Sequence, residues 1–103
     1  MLNEKEKNII SLFLKNLDEY ENEEMTLLWN NSNKVVALFD TCFEDENDYD
    51  ENSSEYEEFI SFSFTLISEP GNAPICVTED NGFLINYHNF PDEILAPDGK
   101  KIN

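Results

Sequence analysis

The chain has 103 residues, enough for one domain around a single small core. It is 40% hydrophobic and 13% aromatic, which argues against a wholly disordered polypeptide. Its net charge of −17, with six lysines and no arginine against 23 acids, argues against direct binding of nucleic acid or of an anionic membrane surface.

Residues 3 to about 19 read as a helix. Asn3 is placed to cap it, with Glu6 three residues later as in a capping box. Ile9, Ile10, Phe13, Leu14 and Leu17 recur at spacings of three and four and form one apolar stripe. Asp18 to Glu24 is an acidic break. Met25 to Trp29 reads as a first strand and Lys34 to Phe43 as a second, with the Asn30–Asn33 cluster predicting a hairpin turn between them. The faces of the second strand are ambiguous, because Val35, Ala37 and Phe39 compete with Val36, Leu38 and Cys42.

Glu44 to Glu58, EDENDYDENSSEYEE, follows. Nine of its fifteen residues are acidic, none is basic, and it carries Tyr49 and Tyr56. It runs into Phe59 to Ile67, where Ile60, Phe62, Phe64 and Leu66 alternate with Ser61, Ser63 and Thr65. That is a third strand of period two, whose polar face carries hydroxyls rather than charges. Glu69 to Pro74 is a loop by its prolines and glycine. Ile75 to Thr78 reads as a short fourth strand and Phe83 to Tyr87 as a fifth, joined in a hairpin by the Asp80-Asn81-Gly82 turn. Phe90 to Leu95 suggests a helical turn, and the final eight residues a surface end.

One helix followed by closely spaced strands predicts an α+β fold: the N-terminal helix packed on an antiparallel sheet of about five strands, a meander in two layers. Residues 1–103 are read as one such domain with an acidic loop at about 44–58. The expected core is Ile9, Ile10, Phe13, Leu14, Leu17, Leu27, Phe39, Ile60, Phe62, Phe64, Leu66, Val77, Leu84 and Tyr87. Cys42 and Cys76 lie in apolar runs and are expected to be buried and reduced, with a bridge between neighbouring strands as the alternative.

The N-terminal segment lacks the form of a signal peptide, and no apolar stretch approaches the ~20 residues of a membrane span. The expected location is cytoplasmic.

Chemical motifs are sparse. His88 is the only histidine, and neither cysteine sits in a nucleophile signature. Three glycines draw no phosphate-binding loop. Asp48, Asp50 and Asn52 imitate the start of a calcium-binding EF-hand loop. The sixth position is then Ser53 rather than glycine and the twelfth Phe59 rather than glutamate, so the register fails. No catalytic, cofactor or metal-binding residue is assigned.

The charge itself is the positive signal. From Val35 to Gly99 there are sixteen acids and no lysine. Carboxylates interleaved with tyrosine suit a basic partner, with the carboxylates standing in for phosphates. The expected partner-binding residues are Glu44, Asp45, Glu46, Asp48, Tyr49, Asp50, Glu51, Glu55, Tyr56, Glu57 and Glu58. A solvated loop without a partner is the bland alternative.

On this stretch, carried by a domain of one helix and few strands, the chain resembles the small acidic immunity proteins with which bacteria neutralise secreted nuclease toxins. The resemblance implies a non-enzymatic binding protein that inhibits a basic toxin by direct contact. Two alternatives remain open: a DNA-mimicking phage or anti-restriction inhibitor, and a small enzyme or cation-binding domain using His88 and the carboxylates.

Overall fold

The computed structural model describes residues 4–20, 23–30, 33–68 and 71–103. Helix α1 (Glu4–Asn16) runs into a 3-10 turn, Leu17–Glu19. The expected cap, Asn3, lies outside the described residues. Five strands follow: β1 (Glu24–Trp29), β2 (Asn33–Glu46), β3 (Glu58–Leu66), β4 (Gly82–Ile85) and β5 (Glu93–Leu95). They form one sheet in the order β4-β3-β2-β1-β5, every neighbouring pair antiparallel. This is the expected α+β architecture. Strands β1 to β4 make the meander, and the chain then crosses to the far edge, where β5 pairs with β1.

The core lies between α1 and one face of the sheet. Phe13 is fully buried at its centre. Its ring meets Phe62 at 5.2 Å, Phe90 at 5.7 Å and Phe39 at 6.3 Å in edge-on contacts, the geometry that aromatic quadrupoles favour. Ile10 and Leu17 bury beside it, as the helical stripe requires. Met25, Leu27 and Trp29 from β1 and Val35, Ala37 and Phe39 from β2 point into the same layer.

The ambiguity of β2 has a structural cause. A bulge at Asp40 shifts the register between Phe39 and Thr41. One extra residue reverses the alternation, so Val35, Ala37 and Phe39 face the core above the bulge and Cys42 packs against it below. Of the competing set, Val36 and Leu38 lie above the bulge and alternate with the buried residues there, and only Cys42, below it, packs against the core.

Five expectations need correction. Ile75–Thr78 is not a strand: it runs extended beside β4, sharing the bond from Thr78 N–H to the Gly82 carbonyl, 2.8 Å, while β4 forms its ladder with β3 alone among the described residues. Asn81 does take the expected positive φ, 64°. Phe83 and Ile85 are therefore buried, and Leu84 is 45% exposed rather than core. The segment read as a helical turn at Phe90–Leu95 contains β5, because β1 offers an unpaired edge on that side, and backbone bonds to that edge outweigh a single isolated helical turn. The C-terminal segment is not a surface end. A turn at Gly99, φ 88°, folds it back so that Ile102 is fully buried and its N–H donates to the Ile94 carbonyl. Finally, Cys42 is half-buried and Cys76 exposed, and both thiols are free.

Candidate functional site: the acidic hairpin arm

Strand β1 pairs with β2 only over Asn33–Leu38, and β4 with β3 only over Phe62–Thr65. Below those levels β2 and β3 continue together as a hairpin arm, with Phe43–Glu46 paired to Glu58–Ser61. The acidic stretch is the end of this arm. Glu44, Asp45 and Glu46 belong to β2 and Glu58 to β3, so the connecting loop is shorter than the sequence suggested, residues 47–57.

The loop is ordered by its own polar groups. Asn47 closes it. Its N–H donates to the Glu57 carbonyl at 3.1 Å, and its side-chain amide donates to the Glu55 carbonyl at 2.8 Å. Its side-chain oxygen accepts the N–H of Glu57 at 3.2 Å and that of Tyr49 at 3.4 Å. Asp50 accepts the Asn52 N–H at 2.9 Å, an Asx turn, and the Ser53 N–H donates to the Asp50 carbonyl at 2.8 Å. The Ser53 hydroxyl accepts the N–H of Glu55 at 3.1 Å.

These bonds sort the eleven expected contact residues. Some are engaged inside the arm. Asp45 accepts the hydroxyl of buried Ser61 at 2.8 Å. Tyr56 donates its hydroxyl to Glu46, and that bond, with partial desolvation and the charges of Glu46 and Glu58, pushes the phenol well above its ordinary range. Glu57 binds the arm to the β4–β5 crossover: one carboxylate oxygen accepts the Tyr87 hydroxyl and the other meets His88 Nε2 at 2.6 Å. Exposed to solvent are Glu44, Asp48, Tyr49, Asp50, Glu51, Glu55 and Glu58, and Glu46 too, although it holds the Tyr56 hydroxyl. The structure thus brings all eleven to one arm and exposes eight of them.

Two further features were not legible beforehand. Glu6 is fully buried, and its carboxylate accepts the Ile60 N–H at 2.8 Å, where β3 has run past the end of β4. A helix side chain thereby satisfies a sheet-edge donor and fixes α1 against the root of the arm. His88 is placed against the Phe59 ring, with centroids 6.2 Å apart, and beside Tyr87. Among the described residues, no group of three or more histidine, cysteine, aspartate or glutamate side chains is arranged to hold a metal ion.

A protein-family model for the cognate immunity protein YxxD matches residues 9–103, nearly the whole chain. The chain belongs to this family of cognate immunity proteins. The match spans α1 from Ile9 onward, all five strands and the complete acidic arm, so the charged arm lies inside the matched region. No curated protein and no solved structure matches it. Membership implies a toxin as partner.

Proposed function

We propose that this immunity protein acts in the bacterial cytoplasm as a non-enzymatic inhibitor, binding a basic, nuclease-type toxin domain through the acidic hairpin arm. The observation that carries the proposal is the order of the loop. Eight exposed residues, seven of them acidic, stand on the end of the arm, on the strand ends and on a loop closed by its own hydrogen bonds, so the carboxylates are presented with little ordering entropy left to lose on binding. Such an array matches a cleft built to hold phosphates. The field of the chain reaches a partner over a Debye length of about 8–10 Å and speeds encounter.

The test uses Glu44, Asp48, Glu51 and Glu55, exposed acids whose carboxylates the arm does not use internally. Changing these four to Gln or Asn slows association with the cognate toxin domain, and raising salt slows the native chain toward the variant's rate. Each exposed charge contributes only about 0.2–1 kcal/mol, so single changes have small effects. Association rates equal at low salt would place the interface away from the arm.

A further inference from the structure

The face of the sheet opposite α1 holds a groove of about 490 Å³ between the extended Ile75–Thr78 run and the β3–β4 ladder. That size falls within the roughly 300–1,000 Å³ typical of built pockets. It exists because Ile75–Thr78 does not complete a hairpin with β4. Val77 and Ile75 turn toward the core, leaving Cys76 and Thr78 to line the groove. Asp40 enters it from the β2 bulge and Asp80 from the turn before β4. Between them lie the hydroxyls of Ser63 and Thr65 and the exposed side chain of Leu84. The Ser63 hydroxyl is 3.5 Å from the Asp40 carboxylate, at the limit of a hydrogen bond.

We infer that this groove receives an arginine side chain from the toxin, as a second contact beside the arm. The inference rests on the reading of the chain as an immunity protein that binds its toxin directly. The chemistry selects the occupant. No lysine or arginine occurs between Val35 and Gly99, and among the described residues neither Asp40 nor Asp80 forms an ion pair. A neutral guest leaves both carboxylates uncompensated, and an anion is repelled. A lysine ammonium is a compact, strongly hydrated point charge with no planar apolar face to set against Leu84. A guanidinium is planar, with five donors around its edge for the two carboxylates and the Ser63 and Thr65 oxygens, and weakly hydrated faces for Leu84.

The native chain carries its own reporter. Cys76 is exposed in the groove, whereas Cys42 is half-buried and burial raises its thiol pKa. The experiment is iodoacetamide alkylation of the free chain and of its purified complex with the cognate toxin domain, followed residue by residue. Cys76 is expected to react readily in the free chain and to be strongly protected in the complex, with Cys42 slow in both. In parallel, Asp40→Asn/Asp80→Asn should weaken toxin binding about thirtyfold or more, the loss expected when a buried charge pair is broken. N-acetylarginine methylamide titrated into the free chain should shift the Ser63, Thr65 and Leu84 amides before those of the loop. A complex that forms normally while Cys76 stays as reactive as in the free chain overturns the groove and leaves the immunity reading intact. Failure of the native chain to form any complex overturns both. The footprint needs no variant, so it stands even if the double substitution disturbs the fold.

Discussion

Asn47→Ala tests whether order in the acidic loop comes from one side chain. The substitution removes three side-chain bonds, at 2.8, 3.2 and 3.4 Å. The two shorter ones are each worth about 0.5–1.5 kcal/mol net, and the longest contributes little. Solvent replaces part of that loss at an exposed site, so the closed loop is weakened by about 1–2 kcal/mol, a factor of about 5–30 in its opening equilibrium. The readout is amide hydrogen exchange at Ser53 and Tyr56, whose N–H groups bond to the carbonyls of Asp50 and Ser53 and not to Asn47. Their protection should fall by that factor while the amides of β1 keep theirs, because the loop opens without unfolding the sheet. Toxin affinity should fall by no more than the same factor, with the association rate at low salt nearly unchanged, since no charge is lost. Unchanged exchange at Ser53 and Tyr56 would refute the assignment of Asn47 as the organising residue.

Two further outcomes follow from the arm. The Tyr56 phenol holds its proton more tightly when folded than at its ordinary pKa of 10.0, chiefly through its bond to Glu46. Its contribution to stability is therefore constant below that pH and lost progressively above it; in an absorbance titration Tyr56→Phe should remove one late-ionising phenol, and a titration curve that loses an ordinary phenol instead would show the bond to be absent. His88→Ala removes a contact to Glu57 whose histidine side chain is 56% exposed, so unfolding in denaturant should register a loss of only about 0.2–1 kcal/mol, with toxin neutralisation preserved; loss of neutralisation in a folded variant would revive a catalytic role for the imidazole.

The two corrected strands share a physical origin. Ile75–Thr78 has strand-forming residues and a good turn after it, yet β4 spends its ladder on β3, where Phe83 and Ile85 gain burial against Phe64 and the core. The Glu93–Leu95 run is too short to announce a strand. It becomes one because β1 has a free edge and Ile94 a place in the core. In both cases the partner decides, and the partner is distant in the chain. The same holds for the groove. Asp40, Cys76 and Asp80 carry no shared motif and meet only because a bulge and an incomplete hairpin bring them to one face.

Local sequence alone determined much of this immunity protein. The helical stripe, the β1–β2 hairpin, the period-two strand from Phe59, the Asn81-Gly82 turn and the concentration of charge at residues 44–58 are all statements about near neighbours, and each is written in spacing and side-chain chemistry. Tertiary structure decided which acids are held by bonds within the fold. Asp45, Glu46 and Glu57 look no different in sequence from Asp48 or Glu51, yet they bind Ser61, Tyr56 and the Tyr87–His88 corner. A carboxylate within a run of carboxylates has no local signature for its role. Its role is set by which donor the folded chain places within about 3 Å of it, and those donors come from elements that meet only when the sheet is assembled.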